Sequence, residues 1–269
     1  MPLPTVLLLG FIAGATIVLG MPLGRMKRPA PTLRTLLNAI AVGVLIFILW
    51  DVLAHAWEPI DTGLSDLHAG TGDFASTIGL FLLFAAGIAA GLLGLTAYER
   101  WMARAAGPGS HLQPRQLALL IAVGIGLHNF AEGLAIGQSA ASGELQLAVV
   151  LVIGFALHNA TEGFGITAPL AGDVDEHGVR RIPSWAQLLL LALIGGGPTM
   201  LGTWVGTFFT SDVVSILFLT LAAGSILYVV LQLVTVCARA KRMDLLAYGV
   251  LIGLLAGFFT DAIVTAGGA

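Results

Sequence analysis

The sequence predicts an all-α integral membrane protein: a single transporter-like domain over residues 1–269, with eight transmembrane helices and both termini extracytoplasmic. Three observations carry this reading. Of the 269 residues, 57% are hydrophobic and only 10% are charged, against about 25% charged in a soluble domain. Eight apolar stretches each approach the ~20 residues that a helix needs to cross a bilayer. All twelve basic residues fall in alternate connections between those stretches, and basic loops stay cytoplasmic. The mean hydropathy of +0.95 agrees. A β-barrel would read instead as short segments of alternating polarity.

The first stretch, about 4–22, has no basic residue before it, and Arg25, Lys27 and Arg28 follow it. A cleavable leader shows the reverse arrangement, so this stretch is expected to remain as a span. The second, about 33–57, lies beyond that basic connection, which Arg34 closes, and carries Asp51 and His55 near its far end. The third, about 74–97, follows a connection whose Glu58, Asp61, Asp66, His68 and Asp73 read as a solvated loop. Arg100, Arg104, the isolated His111 and Arg115 lead to the fourth, about 116–140. The fifth, about 146–170, is followed by Asp173, Asp175, Glu176, His177, Arg180 and Arg181, read as turn chemistry on the basic side. The sixth and seventh cover about 185–209 and 213–237. The single cysteine, Cys237, excludes an internal disulfide and a Cys-based zinc site. Arg239, Lys241 and Arg242 then precede the eighth stretch, about 244–265.

Glycines spaced by four recur: Gly87 and Gly91, Gly133 and Gly137, Gly202 and Gly206, and Gly249, Gly253 and Gly257. Small residues at that spacing let helices approach closely. Most such contacts are expected within one subunit, with the third or eighth span as the face of a homodimer. No connection is long enough to fold a core of its own. The partners implied are the lipid bilayer and a small solute. No basic patch interleaved with aromatics speaks for nucleic acid.

Polar residues at hydrocarbon depth are costly and therefore mark a site. Two hexamers hold them: His128-Asn129-Phe130-Ala131-Glu132-Gly133 in the fourth stretch and His158-Asn159-Ala160-Thr161-Glu162-Gly163 in the fifth. At 1.5 Å per residue, each histidine lies roughly 16 Å into a core of about 30 Å. The two spans enter from opposite faces, so both motifs reach the midplane, where transporters built on inverted repeats bind substrate. His and Glu at i and i+4, and Asn and Glu at i and i+3, share one helix face. His128, Asn129, Glu132, His158, Asn159 and Glu162 are therefore expected to converge. Imidazoles and carboxylates suit Zn²⁺, Fe²⁺ or Mn²⁺, and the asparagine oxygens can add to the set. Gly133 and Gly163 leave room for an ion or a helix to pass.

These motifs resemble those of the ZIP (Zrt- and Irt-like protein) family of divalent-metal transporters, in its short bacterial style. The resemblance extends to Ala222-Ala223-Gly224-Ser225-Ile226-Leu227-Tyr228-Val229-Val230 on the seventh span and to the Gly-rich eighth span ending at Asp261. It implies eight helices and outward termini. It also implies an outer access site on the second span, where Asp51 and His55 stand in place of a His and a Glu, with Asp261 nearby. The chain departs from the family at several places. Ala131 and Thr161 replace a helix-kinking proline, leaving any bend to Gly126 or Pro169. Thr199 and Met200 stand where many relatives carry a Glu-Pro pair that helps bind a second metal. Gln232 and Leu233 replace a late acidic pair on the seventh span.

The expected activity is import of divalent metal ions, zinc first and then iron or manganese, into the cytoplasm of a cell, in keeping with a multi-pass protein of a bacterial cytoplasmic membrane. The metal is substrate, no cofactor is expected, and the protein is not expected to be an enzyme. A membrane metalloenzyme would show a His-Glu-x-x-His arrangement or an evident general base. A proton-coupled carrier of another solute would use Glu132 and Glu162 as relay groups without needing metal.

Overall fold

Each apolar stretch forms a helix, and among the described residues of this computed structural model there is no strand. The described residues are 1–25, 31–105, 114–167, 170, 179 and 181–266. Lys27, Arg28, His111, Pro169, Asp173, Asp175, Glu176, His177 and Arg180 lie outside them. The helices are α1 (Leu3–Ala15, continued by a 3-10 segment, Thr16–Arg25), α2 (Pro31–Ala69), α3 (Phe74–Ala105), α4 (Pro114–Ser142), α5 (Leu145–Thr167), α6 (Trp185–Gly206), α7 (Asp212–Arg239) and α8 (Met243–Ala266). Eight spans are long and apolar enough to cross a membrane, the build of a multi-pass membrane protein.

Two elements differ from expectation. The first span changes from α to 3-10 at Thr16, whose hydroxyl donates to the Ala13 carbonyl at 2.8 Å. Pro22 further on has no N–H to give an α-helical ladder. The polar stretch after residue 57, read as a solvated loop, instead continues α2 to Ala69. Ile60 is buried there and Gly63 packs against Thr77 at the start of α3, so tertiary contact extends the helix past its apolar section. Glu58, Asp61, Asp66 and His68 are exposed on that extension, and Asp73 caps α3 by accepting from the Ser76 amide at 2.8 Å.

Tight turns reverse the chain between α2 and α3 and between α4 and α5. Gly70 (φ +75°) and Gly143 (φ +90°) take the left-handed conformation at the α2–α3 and α4–α5 turns, where a side chain would be strained. The basic residues Arg25, Arg100, Arg104, Arg115, Arg181, Lys241 and Arg242 gather at the opposite end of the bundle from those two turns.

Glycine sorts the helices into two groups. In the first, α4 lies on α6, where a Cβ at Gly133 would sit 2.1 Å from the Thr199 carbonyl oxygen and one at Gly202 would sit 2.2 Å from that of Phe130. Gly14 on α1 and Gly196 on α6 approach each other's carbonyls reciprocally, each at 2.2 Å. The 3-10 segment meets α5 through Gly20 and Gly163. In the second group, Gly43 meets Gly253 between α2 and α8, and Gly91 meets Gly224 between α3 and α7. The named glycines of α3 and α8 are thus used inside the chain. Gly79 and Gly94 on α3 face open space.

Contacts between the groups are of another kind. A Cβ at Gly154 of α5 would meet the side chains of Ile48 and Val44 of α2 and no backbone. Among the described residues, no glycine brings backbone onto backbone across this boundary. It is filled instead by a cluster that includes Val44, Ile48, Val52, Ala135, Ile136, Leu151, Phe155, Leu219 and Ile226.

Candidate metal centre

Nothing in the local sequence interrupts α4 or α5, and both motifs are wholly helical. Their spacing then does what helical geometry requires: His128 and Glu132 are one turn apart on α4, and His158 and Glu162 one turn apart on α5. The antiparallel pairing set by the Gly143 turn turns the two faces toward each other. His128, Glu132, His158 and Glu162 are all buried.

The contacts close a ring. His128 Nε2 lies 3.0 Å from Glu132 Oε1 and 3.5 Å from Glu162 Oε1. His158 Nε2 lies 3.2 Å from Glu132 Oε1 and 4.0 Å from Glu162 Oε1. Both imidazoles thus face one oxygen of each carboxylate. A tetrahedron with metal–ligand bonds of about 2.0–2.1 Å has edges of about 3.3–3.4 Å, and the four separations straddle that length. The ligand atoms of His128, Glu132 and His158 all lie within 4.8 Å of one another.

Neighbouring groups orient the ring. The His158 Nδ1 lies 3.3 Å from the Gly154 carbonyl, so in the tautomer protonated there, Nε2 presents its lone pair to the centre. Phe155 stacks edge-on to the same ring, with centroids 5.7 Å apart. Glu132 Oε2 and Glu162 Oε1 are buried without a hydrogen-bond partner, and Glu132 Oε1 faces the two imidazoles. Unpaired carboxylate oxygens are expensive to bury, and a divalent cation at the ring centre would satisfy them.

The asparagines point their amide nitrogens elsewhere. Asn129 Nδ2 donates to Glu162 Oε2 at 3.2 Å and to the Gly195 carbonyl of α6 at 2.9 Å. Asn159 Nδ2 donates to the Ala13 carbonyl of α1 at 2.9 Å, the same carbonyl that accepts from Thr16 at the start of the 3-10 segment. The Oδ1 of each asparagine is buried without a hydrogen-bond partner. Gly133 and Gly163 serve helix approach, on α6 and on the 3-10 segment respectively. Gly126 likewise lets α4 close on Ile194 and Pro198 of α6 rather than bending α4.

The structure also brings the second-span pair together with residues of other helices. Asp51 is buried, with Oδ2 unpartnered, and its Oδ1 lies 3.6 Å from His55 Nδ1. His55 Nδ1 is bonded to the Asp51 carbonyl at 2.9 Å. Asp261 of α8 is within electrostatic reach of Asp51 and accepts from Gln146 of α5 at 3.3 Å. Glu144, in the α4–α5 turn, has its carboxyl pushed above the usual range by burial, with Glu58 and Asp212 adding to the shift and His55 opposing it. Acids of α2, α7, α8 and this turn therefore share one end of the bundle.

Sequence reasoning missed three polar connections: the Gly195 and Ala13 carbonyls, the Gln146–Asp261 bond, and the Tyr228 hydroxyl between Glu99 and Gln232. Pro198 was a partial signal for the first, because its missing N–H frees the Ile194 carbonyl, one residue before the acceptor.

Fold and site together define an all-helical protein of eight membrane-length spans with a buried centre of two imidazoles and two carboxylates. No family model and no curated protein sequence matches this chain.

Proposed function

We propose that this protein is a ZIP-type transporter that admits divalent metal ions, zinc foremost and iron or manganese after it, to the cytoplasm. The observation that carries the reading is the buried cluster of His128, Glu132 and His158, whose ligand atoms lie within 4.8 Å of one another, with Glu162 Oε1 3.5 Å from His128 Nε2 beside it. Two carboxylates neutralise one dication, which makes the cation tolerable at that depth.

The positive-inside rule places the basic connections in the cytoplasm and both termini outside. The end bearing Asp51, His55, Glu144 and Asp261 is then the outer mouth. Negative potential there concentrates cations, and Asp51 with His55 offers a first stop before the ion sheds water onto the midplane ring. Import, rather than export, follows the usual direction of the family resembled.

Two features support alternating access. The motif-bearing helices belong to one glycine-stitched group, and the boundary with the other group is made of side chains that can slide. Contacts also repeat in corresponding places. Gly87 with Thr220 and Gly91 with Gly224 on α3 and α7 match Gly249 with Ala39 and Gly253 with Gly43 on α8 and α2. Such correspondence is what inverted repeats produce.

Radiolabelled zinc uptake into proteoliposomes, challenged with iron and manganese, tests the reading. Wild-type protein is expected to take up zinc, and Glu132→Ala, properly inserted, to fall to background. Near-normal uptake by that variant would defeat the proposal. Binding of zinc without uptake would instead favour a metalloenzyme, and no metal binding at all would favour a proton-coupled carrier.

A further inference from the structure

We infer that the midplane centre holds one dication at a time and that Asn129 is a positioning residue, which aims Glu162 at that ion rather than ligating a second one. The inference rests on the metal-site reading above and specifies the donor set and capacity of that site.

The argument starts from the orientation of one amide. Asn129 Nδ2 faces two acceptors, Glu162 Oε2 and the Gly195 carbonyl. Turning the amide over would set Oδ1 against both, acceptor on acceptor, so the Gly195 carbonyl fixes which end faces the carboxylate. The Glu162 carboxylate is thereby divided. Its Oε2 accepts from the amide, while its Oε1 faces both imidazoles at 3.5 and 4.0 Å. A second cation bridging Glu162 through Oε2 would meet the positive N–H end of the Asn129 amide.

Charge gives an independent argument. The buried acids of the ring are Glu132 and Glu162, two negative charges in all. One dication cancels them, whereas two would leave a net charge of two at hydrocarbon depth, where unpaired charge is costly. The sixth helix supplies no further acid beside Gly133, where it presents buried Thr199. Asn159 Nδ2 is likewise committed to a backbone carbonyl, that of Ala13, and ties α5 to the point where α1 changes to 3-10.

The test counts zinc and measures its affinity in detergent-purified full-length chain. Comparing wild type with the double variant Glu132→Gln, Glu162→Gln, the expected loss is one zinc per chain. A loss of two overturns the single-ion inference while leaving the metal-site reading intact. No loss removes the metal-site reading, and this inference with it.

Affinities of Asn129→Ala and Asn129→Asp then separate the roles. A positioning donor predicts about 10- to 100-fold weaker zinc binding in both, with Asp the worse, because its charge repels Glu162. A ligating oxygen predicts the opposite order, with Asp binding as tightly as wild type or capturing a second ion. That order would overturn the assignment of Asn129, and a role in folding alone would not produce either order. If neither variant folds, the zinc count decides by itself.

Discussion

The two glycine-stitched groups of helices are held together by different physics from what lies between them. Inside each group, backbones touch. The Gly133 and Gly202 pair, the Gly14 and Gly196 pair, and Gly43 on Gly253 leave no space for a methyl. Across the boundary, side-chain ends meet. Ile48 reaches over Gly154, Tyr98 over Gly124, Ser215 donates to Gln138 at 3.1 Å, and Gln146 donates to Asp261 at 3.3 Å. Backbone contacts are all or nothing, whereas flexible tips can exchange partners. The lesson is that rigidity is concentrated within the group that carries all four ring residues and within its counterpart, and compliance is confined to the boundary between them.

Locking that boundary should have the largest effect. An Ile48→Cys, Gly154→Cys pair, in a chain with Cys237→Ser, is expected to form a bridge, because a Cβ at Gly154 would lie 2.8 Å from Ile48 Cγ1. Zinc uptake should fall to background on oxidation and return on reduction. A bridge inside one group, Gly63→Cys with Thr77→Cys, whose Cβ atoms would lie 3.4 Å apart, should leave uptake near the unbridged level. Uptake that persists through the oxidised Ile48–Gly154 pair would remove sliding from the mechanism.

Single methyl groups sharpen the same comparison. Gly133→Ala forces a Cβ to 2.1 Å from the Thr199 carbonyl oxygen, and the loss of stability is expected to reach about 3 kcal/mol. Gly154→Ala meets side chains alone, Ile48 Cδ1 at 2.3 Å and Cγ1 at 2.8 Å, and no backbone. A rotamer change there should cost under about 1 kcal/mol. Thermal unfolding in one detergent measures both, and equal losses would erase the distinction between the two kinds of contact.

At the ring itself, His158→Ala is expected to change the ranking of zinc over manganese, since imidazole favours zinc-like ions. Competition in the uptake assay reads this, and an unaltered ranking would count against His158 as a ligand.

The smallest effect concerns the turn that joins the motif helices. Burial and nearby acids raise the Glu144 carboxyl above its ordinary value. A raised carboxyl contributes stability below its unfolded value that is lost as pH rises through the folded one. Glu144→Gln should therefore raise the melting temperature slightly at pH 7 and leave it unchanged at pH 4. A rise of the same size at both values would assign the gain to something other than charge.

How much of this was legible beforehand differs between side chains and backbone. The spans could be read, because twenty apolar residues have few other fates. The convergence of the four ring residues could also be read, because i and i+4 must share a helix face. The partners of Asn129 and Asn159 could not, since their acceptors are carbonyls of Gly195 and Ala13 and every residue carries a carbonyl. The roles of Gly133 and Gly163 were half legible. Their place just after each motif glutamate signalled room for an ion or a helix, and only the fold shows that α6 and the 3-10 segment occupy the space. The extension of α2 was hidden because its exposed acids look like loop chemistry, while Ile60 and Gly63 find neighbours that no local pattern announces.

One feature of the first span sets how far it reaches. A 3-10 helix rises about 2.0 Å per residue and an α-helix about 1.5 Å. Over the ten residues of Thr16–Arg25, the difference amounts to about 5 Å, close to one helical turn. Arg25 at the end of that segment is moored, donating to the Pro183 carbonyl and resting over the Trp185 ring at 5.1 Å. Between the Asn159 tether and the Arg25 mooring, the 3-10 winding therefore covers about one turn more than ten α-helical residues would. The first span gains length without gaining residues, so that one short segment lashes α5 to the start of α6.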